Sequence, residues 1–131
     1  MRLKALVWIV RPGPEILLLE RPERRGGGLH PVTGKADPGE AAEVCAEREA
    51  FEETGLRGRL TDLGLKHAFG GRKHTFEEHA FLLSVALGKE PVLSDEHVAF
   101  RWALPGDALA AVEWPAHRQA LERALQLFEA A

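Results

Sequence analysis

Apolar residues occur in short runs along the chain, separated by turn-forming residues, and this pattern predicts β-strands interrupted by helices. Residues 3–10 form a nearly continuous apolar run, which is typical of a strand buried on both faces. After a turn at residues 12–14, Glu15–Glu20 predicts a second strand antiparallel to the first. Further strands are expected at residues 30–33, 57–65, 78–87 and 98–103, with glycine-containing loops at residues 21–28 and 67–75.

Helical features are strongest at residues 40–53 and 116–130. The first of these helices follows a turn at residues 37–39, where Asp37 can cap a helix, and it ends before Gly55, which suits a left-handed C-terminal position. A short helix is expected from residue 105. The order of elements, β-β-(β)-α-β-β-β-α, predicts an α/β fold in which helices cover both faces of a mixed sheet.

Length, charge and cysteine content limit the classes of protein to consider. The 131 residues, with a formal net charge of −3, predict one soluble globular domain over residues 1–131 and no binding of nucleic-acid polymers. The single cysteine, Cys45, excludes an internal disulfide and fits a reducing compartment. The first apolar run is too short to span a membrane. We therefore expect a cytoplasmic protein, a monomer or a homodimer, that does not bind membranes.

The helix at residues 40–53 carries an unusual concentration of negative charge. Glu49, Glu52 and Glu53 are spaced at i, i+3 and i+4, so all three carboxylates lie on one face, with only Arg48 beside them. Like charges at this spacing lower helix stability by a few tenths of a kcal/mol, roughly, for each pair. A solvated acidic edge is one interpretation. A divalent cation that prefers oxygen ligands, such as Mg²⁺ or Mn²⁺, would also relieve the repulsion.

The same helix is asymmetric in side-chain size. Ala42, Cys45 and Ala46 lie on or near the carboxylate side, whereas Val44 and Phe51 lie on the opposite side. Small side chains beside the acids would allow another surface to approach the helix closely.

A resemblance to a known family follows from these positions. The fixed positions of the Nudix box are filled by Gly34, Glu40, Arg48, Glu49, Glu52, Glu53, Gly55 and the aliphatic Leu56. The stretch thus resembles the signature of hydrolases that act on nucleoside diphosphates linked to another moiety. The resemblance implies an α/β/α sandwich with a central mixed sheet. It also implies Mg²⁺, with Mn²⁺ as the alternative ion, held by Glu49, Glu52, Glu53 and the carbonyl of Gly34, with Arg48 holding a carboxylate in place.

Residues 95–102 are the second informative stretch. The arrangement Glu96-His97-x-x-Phe100-x-Trp102 resembles Nudix enzymes that act on dihydroneopterin triphosphate and on diadenosine tetraphosphate. This resemblance implies that Glu96 is a metal ligand or a proton acceptor, so that either Glu49 or Glu96 activates the attacking water. His97 is interpreted as a hydrogen-bonding neighbour of Glu96. Phe100 and Trp102 are interpreted as core aromatic residues, because alternating aromatic residues are common in strands.

Substrate contacts are predicted at four polar residues. The entry to the box at residues 31–34 and the segment at residues 113–121 resemble the pterin-triphosphate branch of the family. The resemblance supports substrate contact by Arg21 and Thr33, and the alternative is that both are ordinary polar surface residues. Arg72 and Lys73 are further candidates, with a solvated loop as the alternative. The histidines lack partners at zinc-ligand spacing, which argues against a zinc site.

The expected function is Mg²⁺-dependent pyrophosphohydrolysis. The expected substrate is dihydroneopterin triphosphate or another nucleoside triphosphate, cleaved to the monophosphate and pyrophosphate. The alternatives are hydrolysis of dinucleoside polyphosphates such as diadenosine tetraphosphate, and a Nudix-fold module that senses a nucleotide without cleaving it.

Overall fold

The computed structural model describes residues 1–129 as one sheet flanked by three helices. The strands are β1 (Arg2–Arg11), β2 (Glu15–Glu20), β3 (Leu29–His30), β4 (Val32–Lys35), β5 (Arg59–Gly70), β6 (Thr75–Ser84) and β7 (Ala99–Ala103). The helices are α1 (Ala42–Thr54), α2 (Pro105–Ala111) and α3 (Pro115–Leu127), with a 3-10 turn at Glu23–Arg25. Residue 130, where the last helix was expected to end, lies outside the described residues.

The sheet is mixed, and β1 lies at its centre. The strand order is β3-β2-β1-β6-β5, with β4 also paired to β1 and β7 to β2. β1 and β6 are parallel, and the other pairs, including the predicted pair of β1 and β2, are antiparallel. Because neighbours cover both edges of β1, and helices cover both its faces, its sequence is apolar without interruption from Ala5 to Val10.

Two hydrophobic cores lie on the two faces of the sheet. Alternate residues of a strand point to opposite faces, so Ala5, Val7 and Ile9 of β1 pack on the side of α1. Leu6 and Trp8 pack on the side of α2 and α3. This confirms the predicted α/β/α sandwich with a central mixed sheet. The indole Nε1 of Trp8 also donates a hydrogen bond of 3.0 Å to the carbonyl of His117, which attaches α3 to the sheet.

Several element boundaries differ from the prediction, at one loop and at one helix start in particular. The expected loop at residues 67–75 is shorter, because β5 and β6 continue as a hairpin and leave only residues 71–74 outside the strands. Helix α1 begins at Ala42, and no side chain caps it. Asp37 therefore does not cap α1; instead its backbone N–H donates to the carboxylate of Glu40 over 3.0 Å.

The prediction that Phe100 is a core residue is wrong. Its exposed fraction is 36%, because β7 pairs only with β2 among the described strands and lies at an edge of the sheet. Trp102 is partly buried against the core on the α1 side. None of the helices in residues 1–129 is long and apolar enough to cross a membrane.

Candidate active site

Helix α1 turns its small residues toward the sheet. Ala42, Cys45 and Ala46 are buried, whereas the exposed fractions of Val44 and Phe51 are 55% and 40%. The left-handed Gly55, at φ 71°, ends the helix and donates its N–H to the carbonyl of the fourth residue before it. The close packing on small side chains brings the carboxylate side of α1 against β4 and β1.

Gly34 of β4 is the point of closest approach to the helix. A Cβ atom at this position would overlap the side chain of Glu49, so only glycine allows this contact. The thiol of Cys45 donates to the carbonyl oxygen of Gly34 over 3.7 Å, which shows that this carbonyl faces α1. The glycine of the box thus lies directly beside one of the predicted metal ligands.

Arg48 forms a network with three carboxylates and one carbonyl. Its guanidinium donates to both oxygens of Glu40, over 2.8 and 2.9 Å, in a bidentate pair. It also donates to Glu49 over 2.9 Å, to Glu52 over 3.1 Å and to the carbonyl of Lys35 over 3.1 Å. The hydrogen bonds from Arg48 lower the pKa of Glu40 to about 2. Arg48 therefore compensates Glu40 and fixes the orientation of Glu49.

A second group of carboxylates surrounds Glu53, which Arg48 does not contact. Oxygens of Glu49, Glu53 and Glu96 lie within 4.8 Å of one another. Glu53 is 2% exposed, and its Oε2 has no hydrogen-bond partner in residues 1–129. Burial, followed by the charge of Glu96, raises the pKa of Glu53 to about 10. Burial also raises the pKa of Glu49. A buried oxygen without a partner and converging carboxylates fit a hard divalent cation.

The neighbours of Glu96 and Glu53 differ from those expected. His97 was interpreted as a partner of Glu96, but its Nδ1 lies 3.4 Å from Glu53 Oε1. Burial lowers the pKa of His97 to about 4, so the imidazole is neutral near pH 7 and does not compensate Glu53. Glu96 lies on the loop before β7, where the guanidinium of Arg25 is 3.6 Å from its carboxylate. The loop, and not the helix, thus supplies the third carboxylate.

Three predicted site residues lie outside this group. The side chain of Glu52 is 56% exposed and pairs with Arg48, so Glu52 is not one of the three converging carboxylates. Arg72 and Lys73 are exposed in the short hairpin turn between β5 and β6. Their contact with substrate, and metal binding by Glu52, stay predictions.

A pocket of about 240 Å³ lies between the sheet and the start of α3. It is lined by Lys4, Arg21, Thr33, His67, Phe69, Glu78, Trp114, Ala116 and His117. Arg21 donates to the hydroxyl of Thr33 over 3.3 Å, so these two predicted contact residues lie together. Burial lowers the pKa of Arg21, and the charges of Glu53, Glu96 and Glu78 oppose this shift. Arg21 therefore lines the pocket and also interacts electrostatically with Glu53 and Glu96 of the carboxylate cluster.

Sequence reasoning missed several residues of this pocket. Lys4 and Glu78 were taken as parts of β1 and β6, and the tail at residues 113–121 served only to indicate a branch of the family. The available signal was a charged residue inside an otherwise apolar strand, since a buried charge needs a partner or a function. His117 gave no signal, and burial lowers its pKa to about 4.

Comparison with known proteins identifies the family. A family model described as NUDIX domain matches residues 1–124. The chain belongs to the NUDIX family. It is 35% identical over 130 residues to an octanoyltransferase of Myxococcus xanthus and 32% identical over 103 residues to a putative 8-oxo-dGTP diphosphatase of Bacillus subtilis. These matches cover 95% and 78% of this NUDIX chain, but only 36% and 66% of the two relatives.

Solved structures of other NUDIX-fold proteins are similar over nearly the whole chain. A dihydroneopterin triphosphate pyrophosphohydrolase of Escherichia coli has a TM-score of 0.77 and 26% identity, and the match covers 92% of each chain. An Ap4A hydrolase of Caenorhabditis elegans has a TM-score of 0.81 and 22% identity, with 96% of each chain covered. The second likeness supports the fold alone.

Proposed function

We propose that this NUDIX domain hydrolyses a triphosphate of the nucleoside type, either dihydroneopterin triphosphate or an NTP or dNTP, to the monophosphate and pyrophosphate. The observation that carries the proposal is the convergence of Glu49, Glu53 and Glu96 around a buried carboxylate oxygen without a partner. The similar proteins include a putative 8-oxo-dGTP diphosphatase and a dihydroneopterin triphosphate pyrophosphohydrolase, and this supports a triphosphate substrate.

The three carboxylates would hold Mg²⁺, or Mn²⁺ in its place. The carbonyl of Gly34 and the carboxylate of Glu52 are the further predicted ligands. A bound Mg²⁺ would supply positive charge that offsets the negative charge developing on the phosphoryl oxygens. Because Glu53 lies among like charges with a raised pKa, cation binding would compete with protons at this residue.

The protein's own groups account for proton transfer. In the proposed reaction, the oxygen of a water molecule forms a bond to phosphorus while Glu49 or Glu96 accepts a proton from that water. The phosphoanhydride bond breaks, and its electron pair leaves with pyrophosphate. Arg48 is a positioning residue in this scheme, because it donates to Glu49 and limits the orientations of that carboxylate.

Arg21 and Thr33 would bind the substrate between the carboxylates and the pocket. Their hydrogen bond prearranges two donors, and a guanidinium suits phosphate oxygens. We also expect a cytoplasmic monomer or homodimer with a single domain over residues 1–131. The location, the oligomeric state and the number of domains stay predictions.

A substrate panel tests the proposal. Purified protein is incubated with dihydroneopterin triphosphate, each dNTP and diadenosine tetraphosphate, with Mg²⁺ or with EDTA, and the products are separated by chromatography. We expect Mg²⁺-dependent release of pyrophosphate from a triphosphate, and loss of this activity in Glu53→Gln. Preferred cleavage of diadenosine tetraphosphate would replace this proposal with dinucleoside polyphosphate hydrolysis. Nucleotide binding without any cleavage would indicate a sensing module.

A further inference from the structure

Three charged or polar side chains form a row across adjacent strands at the base of the pocket. In the registers of the sheet, Lys4 of β1 pairs with Glu78 of β6, and Glu78 pairs with His67 of β5. Cross-strand neighbours in register lie on the same face of a sheet. All three residues line the same pocket. The strands therefore hold these three side chains next to one another on one wall of the pocket.

The carboxylate of Glu78 has no partner of its own. Glu78 is 7% exposed, yet no hydrogen bond or ion pair to its side chain occurs within residues 1–129. Lys4 likewise has no carboxylate partner within 4 Å in this part of the chain, and its ammonium lies over the rings of Phe69 and Phe76. Burying charges without pairing them is unfavourable. Such an arrangement is expected where a ligand supplies the missing partners.

The shape and walls of the pocket suit a flat heterocycle. Phe69 and His67 stack on each other on β5, with ring centroids 5.9 Å apart, and Trp114 stacks on His117 with centroids 5.5 Å apart. Aromatic side chains bind bases of any sequence through their faces. The volume of about 240 Å³ is below the roughly 300–1,000 Å³ of pockets for complete drug-sized ligands, so it fits one ring system of a larger molecule.

We propose, building on the proposed function, that this pocket selects heterocycles with a 2-amino-oxopyrimidine edge, through Glu78 and Lys4. This edge presents a ring N–H and an exocyclic NH₂ side by side, followed by a carbonyl oxygen. A carboxylate accepts both N–H groups in parallel, as it does from the fork of arginine, and an ammonium donates to the carbonyl. Guanine and the oxidised pterin ring both carry this edge, so the shared chemistry defines the substrate class.

Other bases match the row less well. Adenine offers one amino group next to a ring nitrogen that accepts, so only one N–H reaches the carboxylate and the other oxygen faces a lone pair. Hypoxanthine keeps the ring N–H and the carbonyl but lacks the 2-amino group. A site built around a buried polar group discriminates strongly against a ligand that leaves this group unpaired. The 2-amino group is thus the feature that Glu78 would recognise.

Binding of monophosphates to the metal-free protein tests this inference without requiring catalysis. Dissociation constants are measured in EDTA by calorimetry for GMP, IMP, AMP and neopterin monophosphate. GMP and IMP differ only in the 2-amino group, and a hydrogen bond to a charged group of about 1.5–3 kcal/mol corresponds to about 10- to 100-fold tighter binding of GMP. If GMP binds more tightly than neopterin monophosphate, the preferred heterocycle is guanine. If neopterin monophosphate binds more tightly, it is the pterin ring.

Three variants assign the preference to the row. Glu78→Gln should reduce the ratio of GMP to IMP affinity to within about threefold, because an amide cannot accept both N–H groups. Glu77→Gln makes the same change one residue away, where the carboxylate pairs with His79 and does not line the pocket, and should keep the ratio of the wild type. Lys4→Met should weaken GMP and IMP alike, because both carry the carbonyl.

Two results would overturn the inference. Equal affinity of the wild type for GMP and IMP would show that the 2-amino group is not recognised. A preference that survives in Glu78→Gln would assign it to another residue, and the wild-type and Lys4→Met data remain decisive if Glu78→Gln fails to fold. Triphosphate hydrolysis with no such preference would leave the proposed function standing. Conversely, selective binding without hydrolysis would contradict only the proposed function.

Discussion

Glu40 and Glu53 are two box carboxylates with opposite environments. Glu40 accepts two hydrogen bonds from Arg48, which lower its pKa to about 2. Glu53 is buried beside Glu96 and a neutral imidazole, and its pKa is raised to about 10. The residues are 13 positions apart, before and at the end of the same helix. The charge of Glu40 is compensated by Arg48, whereas no Lys or Arg side chain forms an ion pair with Glu53 within residues 1–129.

This contrast separates two uses of negative charge in one motif. The carboxylates that Arg48 contacts hold the turn before α1 against the helix, so they serve the geometry of the box. In the group of Glu49, Glu53 and Glu96, Arg48 contacts Glu49 and Arg25 lies near Glu96. The buried Glu53 has only the neutral imidazole of His97 within ion-pair distance in residues 1–129, so it stays ionised only if a cation binds there. Glu49 belongs to both sets, because it receives a hydrogen bond from Arg48 and lies beside Glu53. It connects the structural network to the proposed reaction.

The largest effect is expected for Glu53→Gln. Mg²⁺-dependent hydrolysis should fall by at least about 100-fold, the scale found when one group that stabilises a transition state is removed. Without metal, the melting temperature should stay the same or rise slightly, because the folded protein must bind a proton at Glu53 near neutral pH, whereas glutamine is already neutral. Steady-state kinetics at saturating Mg²⁺ and thermal unfolding in EDTA measure the two effects. Near-normal kcat would show that the uncompensated carboxylate is not needed.

Glu96→Gln should give the next largest effect, about 10- to 100-fold in kcat, with KM changed by less than a few-fold. This pattern is expected for an interaction made mainly in the transition state. The acidic limb of the pH–rate profile should shift or disappear if Glu96 is the proton acceptor.

Asp95→Asn is the control for Glu96, because it removes the same charge one residue away. Asp95 is not one of the three converging carboxylates. Equal small losses in the two variants would reduce Glu96 to part of an acidic surface turn and leave catalysis to the helix carboxylates.

The stability of the metal-free protein should depend on the protonation of Glu53. The pKa of Glu53 in the folded protein, about 10, lies above its ordinary value, so protonation of Glu53 favours the folded state. This contribution to the free energy of unfolding is complete below about pH 4 and is lost as the pH rises through the folded pKa. Thermal unfolding in EDTA between pH 5 and pH 9, approximately, should show a falling melting temperature that is flatter in Glu53→Gln. Added Mg²⁺ should raise the melting temperature of the wild type at pH 8, roughly, because it binds only the folded state. A rise of the same size in Glu53→Gln would contradict the assignment of the cation to this group.

The smallest effect is expected for Glu40, and its sign is opposite. The folded pKa of Glu40 lies below the ordinary value, so its stabilisation is present above about pH 4 and is lost as the pH falls toward 2. Acid unfolding of Glu40→Gln should lack this part of the transition, with Glu43→Gln on the exposed face of α1 as the control. Identical acid transitions in the wild type and Glu40→Gln would mean that the pair with Arg48 adds nothing to stability.

Much of the fold could be predicted from local patterns. The apolar run of β1, the turn before β2 and the left-handed Gly55 each have a physical cause within a few residues. Predictions failed where the cause was distant. β5 extends to Gly70 because it pairs with β6, and Phe100 is exposed because β7 lies at an edge of the sheet. Helix spacing brings Glu49 and Glu53 together, but it does not reveal that Glu52 turns to Arg48.

The sequence by itself determined the family, the α/β/α architecture and the concentration of carboxylates on α1, because these depend on periodicity and on motif positions along one segment. Tertiary structure decided which charges are compensated. Glu96, 43 residues after Glu53, joins Glu49 and Glu53 only because its loop returns to α1. Lys4, Glu78 and His67 become one surface only through the register of three strands. Burial and pairing depend on such distant contacts, and they set the pKa values and the unmet hydrogen bonds on which the proposed chemistry depends.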